Sequence, residues 1–472
     1  WNHGFWEKSR RADGSGPGRC HRLYCGRAQN PERERRKGFD VLTHCVNMGK
    51  LVQRQDMNMG NRSARIRIRF RHLFSVVSAG LCLCAWSCHP TEEAGAARHS
   101  KDGPLEPFQA RLLDVAFEVA SAMPIDPHIR NRSRAQQAVV AACLELDQPQ
   151  RALRYIERIE DWRRGAGYAE LAFHCVREGA MLKDVEPYLK LALEVAEDTE
   201  DWRRDQIRVK AAQTYAYAGQ GGAAARLEEC VEASEGGKVA QAQAMICSAE
   251  AFDELMEALA TRQACEQFDV VKNVLEAYAE LFSRFFMDHS RRMQIVERIR
   301  KAWQSMPLLV RAEVLMRLAG IALAHGDSPA ALELVVEARG LMDSAAWEPR
   351  FEIPVRARLA VLFFRAGDRQ GANVAARAAL ELFDTHRAKI VNIDRAGMLR
   401  PIAEAYHAMG DSTTALDLYR RALEAGIENP NSRPRAEDLA ETCCSMALRG
   451  AEPDDGLWKR IGEIQDGLGD PW

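Results

Sequence analysis

The sequence lacks the signatures of most enzyme classes. It has no His-Glu-x-x-His pair, no phosphate-cradling glycine loop between a strand and a helix, and no Gly-x-Ser-x-Gly elbow. Histidines beyond residue 107 are few and scattered: His128, His174, His289, His325, His386 and His407. Alternating runs of β-branched residues are scarce, which excludes a sheet. Long apolar runs are almost absent. The one uncharged, mostly apolar run is Leu73 to Trp86, fourteen residues. At about 1.5 Å per residue it reaches about 21 Å, short of the roughly 30 Å hydrocarbon core. Cysteines are too few and too badly placed for a disulfide framework. Beyond residue 107 they are Cys143, Cys175, Cys230, Cys247, Cys265, Cys443 and Cys444, an odd set lying mostly inside predicted helices.

Charge is unevenly spread. Residues 1–72 carry 17 Lys/Arg and 6 Asp/Glu, a balance of +11, and the other 400 residues carry 48 and 61, a balance of −13. An acidic body without a basic stripe excludes nucleic acid as a partner. Residues 1–58 read as a disordered or upstream extension. Its cluster Cys20, Cys25, His44 and Cys45 is too irregular for zinc. Arg62, Arg65, Arg67, Arg69 and Arg71 then precede the apolar run, and Ser87-Cys88 follows it. A basic start, a short apolar core and small residues at the cut describe a signal peptide over 59–88. Residues 89–107 form a polar linker.

From residue 108 onward apolar residues recur at three- and four-residue steps. Three turns, Gly326-Asp327, Gly367-Asp368 and Gly410-Asp411, lie 41 and 43 residues apart. Seven residues before each glycine stands an alanine: Ala319, Ala360 and Ala403. Others stand five residues after (Ala331, Ala372, Ala415) and twelve after (Ala338, Ala379, Ala422). Small side chains at fixed offsets let antiparallel helices approach closely. Further turns are predicted at Asp147, Gly179, Gly219, near Glu250, near Met287 and at Gly450. Asp161-Trp162-Arg163-Arg164 recurs as Asp201-Trp202-Arg203-Arg204, each opening a helix pair. The expected fold of 108–472 is all-α, a right-handed α-solenoid of about nine antiparallel helix pairs, the fourth and fifth the least regular. Cys143 and Cys175 are expected as buried apolar side chains. Of Cys443 and Cys444, one is expected in the core and one at the surface.

These small residues around a Gly-Asp turn resemble the tetratricopeptide repeat family, with units near forty residues rather than thirty-four. The resemblance implies a non-catalytic scaffold without cofactor or metal, whose first helices line a groove for an unknown protein or peptide. Its groove positions carry over to Phe173, Arg177, Gln213, Tyr217, Phe364, Arg365, Arg400, Glu404 and His407. The segment around Cys88 resembles a bacterial lipoprotein cut site. That implies a lipid on Cys88, attachment to a membrane through it, and a periplasmic or membrane-anchored location. The alternative is a cytoplasmic regulatory repeat protein.

Overall fold

A computed structural model describes residues 101–472 except 233, 234, 236, 265 and 266. The arginine block, the apolar run and Cys88 lie outside the described residues. The described residues belong to one compact unit. Its described part is helical, with 19 α-helices and no strand. No described helix is long and apolar enough to cross a membrane.

A first helix, α1 (Pro107–Ala122), stands alone, and helix pairs follow in sequence. They are α2 (Ile125–Glu145) with α3 (Pro149–Ile156), α4 (Arg163–Arg177) with α5 (Leu182–Glu197), and α6 (Asp201–Tyr217) with α7 (Gly221–Glu228). The shortest helix opens the next pair, α8 (Val239–Met245) with α9 (Phe252–Gln263). Then come α10 (Phe268–Arg284) with α11 (His289–Ala302), α12 (Leu308–Ala324) with α13 (Ser328–Asp343), and α14 (Pro349–Arg365) with α15 (Arg369–His386). The row ends with α16 (Asn392–Ala408) and α17 (Ser412–Ile427), then α18 (Ser432–Arg449) and α19 (Asp455–Asp466). These are the nine pairs read from the turn spacing.

The turns lie where the glycines predict. Asp147, Gly179, Gly219, Gly326, Gly367, Gly410 and Gly450 all have positive φ, between 54° and 97°. Glycine enters that region without a Cβ clash; Asp147 is the exception that tolerates it. After the three Gly-Asp turns the aspartate caps the next helix: Asp327 accepts from Ala330 N, Asp368 from Gly371 N and Asp411 from Thr414 N, at 2.8 to 3.0 Å. All nine alanines of the three regular units are fully buried. α16 begins well before Pro401 and contains it, so the proline does not mark the helix start.

An arginine fifteen residues before a turn closes the preceding connector. Arg132 donates to Ser121 O and Met123 O, Arg311 to Met306 O and Gln304 O, Arg395 to Ile390 O, and Arg435 to Asn429 O. These carbonyls lie at or just after the end of the preceding helix, where a cation suits the negative terminus. Arg163, in the first of the two Asp-Trp-Arg-Arg copies, is not solvated. It is buried, holds Asp161 at 3.1 Å and stacks on Trp162.

The row closes on itself. Successive first helices touch: α2 to α4, α4 to α6, and so on to α16 and α18. α18 in turn packs on α2. α1 seats against α18 about as extensively as a second helix does on its own first helix. It buries Leu112, Leu113, Ala116, Phe117, Val119 and Ala120. Polar contacts bind the seam. Gln109 Nε2 donates to Ala447 O at 2.7 Å, Asn131 and Arg134 both reach Glu437, and Arg111 lies 4.0 Å over the Trp458 ring. Phe117 stacks on Tyr155 of α3 at 4.1 Å. The N-terminal helix thus completes the outer layer between α19 and α3. This corrects the expectation for Cys443 and Cys444: both are buried, because α18 is packed by α1, α2 and α16, with Cys444 near Cys143 of α2 and Arg400 of α16.

Second helices form the outer layer and splay apart, as the larger circumference requires. Ion pairs bridge the gaps: Arg158–Glu118, Arg262–Glu228, Arg300–Glu337 and Arg460–Glu424 at 2.7 to 2.8 Å, with Arg421–Asp384 alongside. Being half exposed, each contributes about 0–1 kcal/mol.

Candidate inner face of the first helices

The nine first helices present one continuous face away from the second helices. A flat ring of nine axes about 8–10 Å apart has a radius of about 12–15 Å, which leaves an opening roughly 12–18 Å across once side chains are placed. That width admits an extended chain or a single helix.

Charged pairs step around this face from one first helix to the next. Gln241 of α8 donates to Glu276 of α10. Arg317 of α12 meets Glu276 and Glu280. Arg358 of α14 meets Glu313 of α12 at 3.3 Å. Arg400 of α16 holds Asp438 and Glu441 of α18, and Glu404 accepts from Ser445 at 2.7 Å and Arg449 at 3.1 Å. Burial raises the Asp438 carboxyl to about 7 against the opposing pull of Arg400. Burial likewise lifts Glu313 above the usual carboxylate range, with Arg358 opposing.

The predicted site residues fall into two groups, with α8, α10 and α12 between them in the row. The first group converges. Phe173 is buried and meets the half-buried Tyr217 edge-on at 5.9 Å. The exposed Arg177 lies 5.9 Å from the Phe173 centroid. Gln213 is buried and donates to Lys238 O at 2.6 Å, while its Oε1 is buried without a partner. In the second group Arg400 is buried in its carboxylate pair and Glu404 is taken up by α18. Those two join neighbouring helices. Phe364 is half-buried, with Arg369 5.8 Å from its ring, His407 is half-buried and Arg365 is exposed.

Sequence reasoning missed Lys210, which the fold brings into the first group. Its ammonium lies 5.0 Å from the Phe173 centroid. Burial holds it below the ordinary lysine range, against the pull of Glu170. The charges it feels belong to Glu170 and Arg177 of α4, to Lys238 before α8, and to Glu276 of α10. All sit on or at the start of first helices, which places Lys210 on the inner face. Helical spacing held the signal: Lys210, Gln213 and Tyr217 follow an i, i+3, i+7 stripe, as Glu170, Phe173 and Arg177 do on α4.

Cys143 and Cys175 are buried as expected, and burial pushes the Cys175 thiol up to about 11. A thiol so raised is a poor nucleophile. Among the described residues no group of His, Cys, Asp and Glu has the spacing to hold a metal ion.

No protein-family model matches the sequence, and no curated protein matches it. Twenty solved chains do, including the following two. One is a circular tandem repeat protein with novel repeat topology and enhanced subunit contact surfaces, 16% identical, covering 76% of this chain and 94% of that one, with a TM-score of 0.24. The other is a human IFIT1 dimer with PPP-AAAA, 12% identical, covering 70% and 76%, with a TM-score of 0.21. The closed row of pairs stands on this chain's own contacts, and the chain is a helical-repeat protein.

Proposed function

We propose that the protein is a non-catalytic scaffold that binds another protein through the inner face of its first helices. The observation that carries this reading is the aromatic and cationic group of Phe173, Arg177, Lys210 and Tyr217, on two adjacent first helices. Aromatic and arginine side chains together favour protein recognition. The test is affinity capture with the full chain, beside an Arg177→Glu variant that melts at the same temperature. A partner retained by the first and lost by the second supports the reading. Identical partner sets contradict it.

Export, with a lipid on Cys88 holding the body at a membrane, belongs to the same proposal. It is supported by the arginine block, the short apolar run and the Ser87-Cys88 junction. Cell fractionation with the mass of the mature N terminus tests it, and an intact 59–88 segment on a cytoplasmic protein contradicts it. One observation favours the cytoplasmic reading instead. Cys230 is a free, exposed thiol, which a reducing compartment preserves.

A further inference from the structure

On most of the inner face, cations meet carboxylates of a neighbouring first helix: Arg317, Arg358, Arg400, Arg449 and Arg134 all do so. The patch on α4 and α6 differs. Arg177 and Lys210 make no ion pair with any described residue and rest on the Phe173 ring. Lys210 has given up water beside an aromatic face, a weaker partner than a carboxylate within ion-pair reach, while Arg177 stays exposed. Beside them Gln213, 4% exposed, has its amide nitrogen fixed to Lys238 O and its buried Oε1 unpartnered. A buried acceptor left open is unfavourable until something donates to it.

We propose that this patch takes an internal acidic residue of an extended peptide: its carboxylate pairs with Lys210 in the field of Arg177, and a peptide N–H donates to Gln213 Oε1. The half-buried Tyr217, backed by the buried Phe173 ring, gives the peptide's aliphatic atoms a surface to lie on. Glu170 and Glu276 stand close enough to act on Lys210. They would repel a run of phosphates but tolerate a single carboxylate flanked by neutral backbone. The inference deepens the scaffold reading and rests on it.

The experiment is fluorescence anisotropy with the full chain. The probes are amidated peptides of one Gly-Ser-Leu background carrying Glu, Gln or Lys at every third position, and a single-stranded oligonucleotide of similar length. The Glu peptide should bind at least about tenfold more tightly than the Gln and Lys peptides, as one charge-assisted contact implies. Arg177→Gln and Lys210→Met should each weaken it about tenfold, Lys210→Arg should keep most of the affinity, and Lys183→Gln on the outer layer should change nothing. Should Lys210→Met fail to fold, the exposed Arg177 carries the test. Equal affinity for all three peptides, tighter binding of the oligonucleotide, no saturable binding, or indifference to Arg177→Gln each overturns the proposal. A captured partner that depends on Phe364 or His407 but not on Arg177 would leave the scaffold reading standing while this site fails.

Discussion

The regular arc from α12 to α17 and the seam where α18 meets α1 and α2 are held by different means. In the arc, alanines at fixed offsets from each turn nest helix on helix, and every one is fully buried. The seam has no such register. It relies on large side chains, Leu112, Leu113 and Phe117, and on polar contacts between residues more than 300 apart, such as Gln109 with Ala447 and Asn131 with Glu437. The arc is written locally and repeats, so each unit tolerates change in length. The seam is made once, and its partners lie at opposite ends of the chain. Closing so long a loop costs only slowly growing entropy, so a modest buried surface can hold it.

The largest effect should come from the seam. Phe117→Ala removes a fully buried ring stacked on Tyr155, and should cost about 3–5 kcal/mol in urea unfolding. A loss under about 1 kcal/mol would mean that α1 contributes little to closure.

Next comes acidity, acting at α18. Asp438 titrates near its ordinary 3.8 in the unfolded chain and near 7 when folded. The folded state therefore favours its neutral form. Stability from this group is full below pH 3.8, falls as pH rises towards 7, and is level above that. The slope should amount to on the order of a few kcal/mol, and Asp438→Asn should flatten it. A parallel slope in both proteins, measured by melting across that window, would assign it elsewhere.

In the arc, Ala360→Leu or Ala403→Leu should overpack a helix pair and cost about 1–3 kcal/mol. An unchanged melting curve for both would break the contrast, because the alanines would then not set the spacing. Smallest is the connector clamp. Arg311→Met should cost about 1 kcal/mol, since it frees the carbonyls of Met306 and Gln304 at a partly exposed site. Arg311→Lys, which cannot hold both, should recover only part of that.

How much could be read beforehand follows the same division. Turn glycines, alanines and nine pairs were legible because each is a local pattern repeated. The closure was not legible, since periodicity says nothing about which ends meet; Trp458 lies in the last helix and its partner Arg111 in the first. Cys443 and Cys444 are both buried because α18 is packed by helices from both ends of the chain, which periodicity does not show. The arginines fifteen residues before the turns were visible, but only the carbonyls they reach give them meaning. Of the site, the stripe on α4 and α6 was half-read: Phe173, Arg177, Gln213 and Tyr217 came from family positions, while Lys210 needed the fold. Arg400 and Glu404 were read as groove residues, and their partners on α18 show how one inner-face position can bind a neighbouring helix instead.

The closed row is the claim on which the inner face depends, and one distance tests it. Spin labels carried on non-natural amino acids at Glu106 and Lys459 would flank the contact of Arg111 with Trp458. Closure predicts a narrow distribution under about 30 Å, given about 1.5 Å of rise per helical residue. An open row of nine pairs, stepping about 8–10 Å each, would place the labels roughly 70 Å apart, and that result would contradict it.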